Sequence, residues 1–231
     1  MGGIGVRKAA LLLATLFLCL SARAGEPYFC NVQGTELHYE RKNVTDGTLV
    51  WRHVMTIDSV ASDGTVCYNS LFTKPGGARM YGGPVPLEVA INDRGDVEMN
   101  VARSVGAIFS NVFGTRAPRT AGGSSVLPAG MKPGDVLPDV AGTASAKLVS
   151  MDVRVTGRRV LQRESLTTPA GTFDCIVVQE HKVEKGTFRN RVTTARTWYA
   201  RGVGMVRHDT YDRNMVLETS EVLIGISNKS K

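Results

Sequence analysis

Residues 49–73, LVWRHVMTIDSVASDGTVCYNSLFT, decide the fold class of this chain. The first half is rich in β-forming residues, and Trp51 and Ile57 fall on one face at the period of two residues that a strand imposes. Asp63-Gly64 follows, and glycine readily adopts the positive φ of a tight hairpin turn. The second half returns as a β-rich partner. The stretch therefore predicts an antiparallel hairpin with an apolar face.

The same pattern continues along the rest of the chain. Residues 85–91 and 97–103 form a second hairpin pattern. From residue 146 to residue 226, β-rich segments alternate with short turns, which build an antiparallel meander. Residues 104–113 are the best helix candidate, because their apolar residues follow helical spacing and Ser104 can cap the start. The chain is therefore predicted to be mainly β, with a single antiparallel sheet and one short helix.

Residues 114–130, GTRAPRTAGGSSVLPAG, are predicted to form a mobile loop. Their glycine, proline, serine and threonine content is typical of a segment without a packed element. Such a long loop is unusual in a compact domain, so it is either a functional segment or a flexible connector. The segment lies inside a single β domain, residues 25–231, and marks no domain boundary.

The first 24 residues have the order of a secretory signal peptide. A basic start with Arg7 and Lys8 precedes the apolar run AALLLATLFLCL, and small residues follow up to Ala24, the expected cleavage point. The apolar run is shorter than the roughly 18–20 residues that a spanning helix needs. Cys19 follows Leu18, which is too large for the usual lipoprotein cleavage motif. We therefore expect export to the periplasm or cell envelope, with lipoprotein anchoring as the minor alternative.

The charge balance argues against nucleic acid as a partner. The full chain has a net charge of +7. Residues 1–24 hold three basic residues and no acidic ones, so their removal leaves 25 basic and 21 acidic residues, a net charge of +4. The basic residues are scattered and form no run interleaved with aromatic residues, which a nucleic-acid-binding surface requires. No second long apolar segment follows, so we expect no transmembrane segment in the mature chain.

Three cysteines remain after processing: Cys30, Cys67 and Cys175. Export permits a disulfide, and there is no C-x-x-C motif to indicate a zinc or redox site. We predict that Cys30 pairs with Cys67, because a bridge there would fasten the irregular mature N-terminus to an early strand. Pairing of Cys30 with Cys175 and a fully reduced chain are the alternatives. Cys175 shares its predicted strand face with apolar residues, so it is expected to be a buried thiol.

The sequence shows no motif of a known catalytic class. It lacks the nucleophile elbow, the phosphate-binding loop and the H-E-x-x-H zinc motif. The four histidines lie on separate predicted strands, and scattered sheet histidines are more often plain surface or core residues than metal ligands. They are His38, His53, His181 and His208. We therefore expect no enzymatic activity, no metal and no cofactor.

Three segments of the C-terminal half occur in a recognisable order. They are MKPGDVLPD at residues 131–139, TPAGTFDC at 168–175 and TWYARGVGMVRHD at 197–209. Together they resemble the TapB-like family of exported proteins, which is widespread in Bacteroidota and has no established function. The resemblance covers roughly residues 36–225 and implies a curved antiparallel sheet, a half-barrel like that of lipoprotein carriers. It brings no catalytic residues, and a shared fold does not fix a function.

An exported curved sheet without a catalytic set favours binding over catalysis. We expect a non-enzymatic envelope protein whose concave sheet holds an apolar ligand, such as a lipid, or a segment of a partner protein. Four aromatic residues are the expected ligand-face or core positions: Trp51, Phe173, Trp198 and Tyr199. A structural or accessory component of a cell-surface assembly is the alternative, since edge strands can pair with a partner strand. A hydrolase with a spatially assembled site is the third hypothesis.

Overall fold

The structure, a computed structural model, describes residues 25–187 and 189–228. Residues 1–24, expected as the signal peptide, lie outside the described residues. Strands dominate the described chain, and the helix α1 spans Val101–Phe113. No helix in this part of the chain is both long enough and apolar enough to cross a bilayer. The strands are, in chain order, β1 (Thr35–Asn43), β2 (Leu49–Val60), β3 (Thr65–Thr73), β4 (Val85–Ile91), β5 (Val97–Asn100), β6 (Arg119–Gly122), β7 (Ser124–Leu127), β8 (Val140–Ala146), β9 (Val149–Thr168), β10 (Gly171–Gly186), β11 (Arg189–Ala200), β12 (Gly204–Tyr211) and β13 (Leu217–Asn228).

These strands all belong to one antiparallel sheet. Their order across it is β6-β8-β9-β10-β11-β12-β13-β1-β2-β3-β4-β5-β7. Two meanders, β8 to β13 and β1 to β5, are joined where β13 pairs with β1, as in Leu37 opposite Ile226. The sheet curves until it is nearly closed into a barrel. The predicted fold class, a single curved antiparallel sheet with one helix, is confirmed.

The two edge strands of the sheet follow each other in the chain. Only Gly123 separates β6, which pairs with β8, from β7, which pairs with β5. One extended segment therefore contacts both ends of the sheet and holds them together. Gly122 makes the crossing with a φ of 149°, and a Cβ there would lie 2.3 Å from the carbonyl oxygen of Ala141. A side chain at position 122 would disturb the pairing of β6 with β8.

The prediction of an unstructured loop at residues 114–130 is wrong for two parts of it, because β6 and β7 lie inside this segment. Each is four residues long, and neither contains a buried residue. They therefore lack the apolar alternation by which a strand is recognised in a sequence. They form because the backbone groups of two sheet edges would otherwise be unpaired. The mobility of the segment stays a prediction.

Helix α1 begins three residues before its predicted start. Asn100, not Ser104, is the N-cap, since its side-chain oxygen accepts a hydrogen bond from the Arg103 amide at 2.9 Å. Gly106, which lowers the helical propensity, faces β6. An added Cβ at this position would meet Thr120 Cγ2 at 2.6 Å, so the glycine permits the close approach of helix and sheet.

The main core lies on the inner face of β1, β2 and β3 and continues onto β10 to β13. Along β2, His53, Met55 and Ile57 are buried in alternation, as the sequence pattern predicts. A second apolar cluster lies on the opposite side of β10, because Ile176 belongs to it while its neighbour Cys175 belongs to the main core. The largest side chains of the main core are Leu37, Tyr39, Met55, Ile57, Val66, Tyr68, Trp198 and Leu223.

One end of the sheet carries four hairpin turns in a row. They join β8 to β9, β10 to β11, β12 to β13 and β1 to β2, and these hairpins are neighbours in the sheet. The longer connection between β3 and β4 lies at the same end, because Thr73 pairs with Arg52 near the start of β2. We call this end the hairpin rim. It comprises residues 44–48, 74–84, 147–148 and 212–216, together with the adjoining ends of β10 and β11, residues 185–187 and 190–192.

Candidate functional site

Four polar side chains are buried side by side on the inner face of the sheet, close to the hairpin rim. They come from four neighbouring strands: Arg41 from β1, His53 from β2, Ser70 from β3 and Glu221 from β13. Their exposed fractions are 8%, 8%, 3% and 5%. Charged groups are rarely buried to this degree without partners, so their mutual contacts decide what they can do. We call these four residues the polar layer.

His53 bridges the polar layer through both nitrogens of its ring. Nδ1 lies 3.1 Å from Glu221 Oε1, and Nε2 lies 3.1 Å from Ser70 Oγ. The guanidinium of Arg41 approaches the other oxygen of Glu221 at 3.4 Å, and its Nε donates to Thr219 Oγ1 at 2.9 Å. The layer is thus one connected network in which each charged group has a partner of opposite charge.

The electrostatics of the layer hold Glu221 ionised. Burial raises the pKa of Glu221, but the hydrogen bond from His53 and the charges of His53 and Arg41 outweigh burial and keep the pKa below its usual value. On β12, His208 lies opposite Glu221, and its Nδ1 is 2.8 Å from Thr197 Oγ1. Burial and the positive charge of Arg41 lower the pKa of His208 to about 4. At neutral pH, His208 is therefore an uncharged neighbour of an ionised carboxylate.

Aromatic rings lie where the polar layer meets the hairpin rim. Phe72 stacks on His53, with ring centroids 4.2 Å apart, and packs nearly edge-on against Trp51 and Tyr81 at 6.3 Å and 5.6 Å. Arg41 lies over the Trp51 ring, 4.6 Å from its centroid. The Nε1 of Trp51 is buried without a hydrogen-bond partner in the part of the chain that the structure describes. We call the three partly exposed residues, Trp51, Phe72 and Tyr81, the aromatic wall.

A glycine-rich loop, residues 74–84 with the sequence KPGGARMYGGP, leads from Phe72 across to α1. The Met80 amide donates to the Phe72 carbonyl at 3.0 Å. At the other end, the Gly83 amide donates to the side-chain oxygen of Asn111 in α1 at 3.3 Å. A Cβ at Gly83 would meet no atom within 4 Å, so the loop is tied at its ends and lightly packed. Such a segment opens at low free-energy cost.

Ser70, His53 and Glu221 have the hydrogen-bond order of a serine hydrolase triad. Both links, from serine to imidazole and from imidazole to carboxylate, measure 3.1 Å. However, Ser70 is only 3% exposed, and its cross-strand neighbour Val85 is 1% exposed. Two cavities of about 480 and 430 Å³ in the described chain are lined by other residues. The arrangement therefore has the geometry of a triad whose serine is deeply buried.

The sequence analysis missed the polar layer because its four members come from four different strands. Only His53 carries a local signal, since it shares the alternating face of Trp51 and Ile57 and therefore points inward. The prediction that the four histidines lie on separate strands is confirmed. Within residues 25–187 and 189–228, no group of three or more His, Cys, Asp or Glu side chains is placed to hold a metal ion.

The four aromatic residues predicted for the ligand face or core do not gather at one site. Trp51 belongs to the aromatic wall. Phe173 and Trp198 belong to the main core, where the Trp198 indole donates a hydrogen bond to Glu164. Tyr199 packs against the second cluster, on the opposite side of β11. Of the four, only Trp51 therefore lies near the hairpin rim.

The predicted disulfide between Cys30 and Cys67 is not present, because both residues and Cys175 are free thiols. Cys30 is buried in the main core. Cys67 alternates along β3 with the buried residues Val66 and Tyr68, so it points to the outer face of the sheet. Cys175 is buried, and burial raises the pKa of its thiol to about 11. Strand alternation thus turns Cys67 away from the core that holds Cys30.

Comparison with known proteins supports the fold. Residues 125–223 match the model of the DUF3108-like family. A Bacteroides fragilis protein with a YmcC-like fold, provisionally classed as exported, superposes with a TM-score of 0.69 at 21% identity, covering 87% of this chain and 98% of that one. A Parabacteroides distasonis protein, provisionally classed as a lipoprotein, gives 0.70 at 19% identity, covering 87% and 99%. No curated protein matches the sequence.

The comparisons support the fold that the resemblance implies. Both structural neighbours come from Bacteroidota-type organisms, and both share the curved sheet of this chain. At identities below 25% they show the fold and no activity. The TapB-like name is not confirmed, since the matching family is the DUF3108-like one.

Proposed function

We propose that the chain is an exported, non-catalytic envelope protein that binds an apolar ligand at the aromatic wall, beside the glycine-rich loop. The observation that carries the proposal is the set of three partly exposed rings, Trp51, Phe72 and Tyr81, at the hairpin-rim end of a curved sheet. Aromatic rings that are neither packed into a core nor fully solvated are typical of the lining of small-molecule sites.

The unpaired indole nitrogen of Trp51 adds a chemical preference. A buried donor without an acceptor costs about 1–3 kcal/mol, and an acceptor on a bound molecule would recover that free energy. Arg41 stacks over the same ring, although its charge is already balanced by Glu221. An apolar molecule with one oxygen acceptor, such as an ester or an alcohol of a lipid, fits this pairing better than a pure hydrocarbon does.

Export is part of the proposal and can be tested separately. The protein recovered from the periplasmic fraction is expected to begin at or near Gly25, as read by N-terminal sequencing. An intact Met1 in that fraction would contradict the assignment of residues 1–24 as a signal peptide.

A titration with N-phenyl-1-naphthylamine, a neutral apolar fluorophore, tests ligand binding. In a Trp198→Phe background, Trp51 is the only tryptophan, so energy transfer from tryptophan to the bound probe reports on the aromatic wall. We expect saturable binding that Tyr81→Ser weakens. The matched control is Tyr211→Ser, which changes another partly exposed tyrosine that packs against Arg196. Absence of saturable uptake, or equal loss in both variants, would overturn the proposal.

A hydrolase is the second candidate, because the order of Ser70, His53 and Glu221 favours it. Under the non-catalytic proposal, a fluorophosphonate probe leaves Ser70 unlabelled, since the hydroxyl is buried beneath the sheet face. Labelling of Ser70 that disappears in His53→Gln would replace the first proposal with the second.

A further inference from the structure

The hairpin rim exposes five large apolar side chains. Their exposed fractions are unusually high for such residues and reach 93% at the tip of the β8–β9 hairpin. Single exposed apolar residues need no explanation, but several on one edge of a protein do. The five are Leu148 (93%), Val216 (59%), Val192 (52%), Val44 (47%) and Met215 (44%).

These residues lie on consecutive hairpins rather than at scattered points. Neighbouring strands are about 4.8 Å apart, so adjacent hairpin tips along the rim are separated by roughly 10 Å. Direct contacts link them: Thr187 Oγ1 donates to the Leu148 carbonyl at 3.4 Å, and the Val44 amide donates to the Glu218 carbonyl at 3.1 Å. Arg191 forms an ion pair with the same Glu218 and connects β11 to β13.

Two of the turns adopt backbone conformations that their residues disfavour. Within the described residues, Lys147 and Met215 are the two non-glycine residues with positive φ, at 52° and 62°. Both lie in turns of the hairpin rim. The two-residue β8–β9 turn is Lys147-Leu148, and its first position, where φ is positive, is one at which glycine is usually found. Local strain of this kind is found at functional sites more often than elsewhere, and here it presents the most exposed leucine of the rim.

Exposed cations of the rim lie beside carboxylates that already accept hydrogen bonds or form an ion pair. Asp46 accepts hydrogen bonds from Thr48, Asp212 accepts them from two amides of its own turn, and Glu218 pairs with Arg191. The exposed side chains of Lys147, Lys185 and Arg213 make no ion pair with any residue that the structure describes. The tips therefore combine apolar side chains with unpaired positive charge.

We propose that the hairpin rim docks on the surface of a lipid bilayer that contains anionic headgroups. The separate apolar tips would enter the boundary between headgroups and acyl chains, and the free cations would lie against the phosphates. A protein partner would favour one continuous apolar patch, whereas projecting tips with cations between them suit a bilayer. This inference does not depend on the ligand proposed above, although the aromatic wall lies close to the same rim.

Co-sedimentation with vesicles tests this docking. The processed protein is mixed with vesicles of phosphatidylethanolamine and phosphatidylglycerol, and with vesicles of phosphatidylcholine alone. We expect binding to the anionic vesicles that weakens with salt, and little binding to the neutral ones. The double variant Leu148→Ser/Val216→Ser should bind about tenfold more weakly, because two partly inserted side chains lose their apolar contact.

Two control variants separate this result from general effects. Val32→Ser/Ile226→Ser changes residues that are 53% and 44% exposed at the opposite end of the sheet, and it should bind like the unaltered protein. Lys147→Gln/Lys185→Gln/Arg213→Gln should abolish the preference for anionic vesicles. Thermal melts verify that each variant is folded. Failure of the unaltered protein to bind anionic vesicles, or equal loss in the Val32/Ile226 control, would overturn the docking proposal.

Discussion

Strand β2 and the middle of β10 bury their side chains in different ways. In β2, the buried residues Met55 and Ile57 flank the half-buried Thr56, so only one face of the strand is fully covered. In β10, all of residues 175–178 are buried. The main core covers one side of this segment, and a cluster that includes Met131 covers the other.

The difference shows where this fold has room for a site. A strand covered on both faces must carry apolar residues at every position, as CIVV at residues 175–178 does. The region of β1, β2 and β3 is covered on its inner face only, and toward the hairpin rim that face holds polar and aromatic residues. The segment of β10 that is covered on both faces therefore stabilises the fold. The region of β1, β2 and β3, which we call the one-faced region because only its inner face is covered, holds the candidate site.

The largest effect is expected in the polar layer of the one-faced region. Glu221→Ala removes the anion between Arg41 and His53, so a buried cation loses its carboxylate partner, which should cost about 3–5 kcal/mol of the free energy of unfolding. The matched control on the same strand is Glu218→Ala, whose partly exposed ion pair with Arg191 should be worth less than about 1 kcal/mol. Urea unfolding measures both variants, and equal costs would show that the polar layer is not a buried ionic network.

Alanine substitutions at neighbouring positions compare the two regions directly. Ile57→Ala in β2 should lower the free energy of unfolding by about 2–5 kcal/mol, while Thr56→Ala should stay below about 1 kcal/mol. In β10, Ile176→Ala and Val177→Ala should both be costly, because both faces are packed. If either β10 substitution left the free energy of unfolding nearly unchanged, β10 would not be packed on both faces and would not differ from β2.

A substitution at the point where the sheet closes should have a smaller effect on the free energy of unfolding, and the effect should depend on the exact position. Gly122→Ala places a Cβ against the Ala141 carbonyl at a positive φ, so the free energy of unfolding should fall by more than about 1 kcal/mol. Gly123→Ala is the matched control, since its Cβ would meet nothing nearer than 4.0 Å. Thermal melts of the two variants should separate, and hydrogen exchange at β6 and β7 should rise in the first only.

A pH dependence of stability is also expected, and it comes from His208. The folded pKa is about 4 and the ordinary value is 6.5. Between these values the unfolded chain binds a proton that the folded chain does not, so the free energy of unfolding decreases as pH falls through this window. His208→Gln should flatten the profile from pH 6.5 to 4 when urea unfolding is measured across that range. A profile that His208→Gln leaves unchanged would contradict this burial of His208.

The sequence predicts those features whose signals lie within a short stretch of the chain. The alternation within residues 49–60 and the turn at Asp63-Gly64 are local, and they are sufficient to predict the β2–β3 hairpin. The strands β6 and β7 have no local signal, because the unpaired edges of distant strands create them. The sequence predicts only one residue of the aromatic wall, Trp51. Tyr81 has no strand pattern, because it reaches the wall from a glycine-rich loop.

The polar layer and the cysteines show the same limit. His53 and Glu221 are 168 positions apart, and no periodicity joins a residue of β2 to one of β13. The disulfide prediction fails because it considers where Cys67 lies along the chain without considering the face of β3 to which it points. The pattern of a single strand shows to which face each residue points. Which distant strands pair with each other is a property of the assembled sheet and cannot be read from one strand.

Native mass spectrometry of the protein purified from its own periplasm measures directly whether the aromatic wall holds a ligand. We expect an adduct with the mass of a lipid-like molecule, present in the unaltered protein and in Tyr211→Ser but lost in Tyr81→Ser. An unaltered protein that is empty in every preparation, or an adduct that survives in Tyr81→Ser, would contradict binding at the aromatic wall.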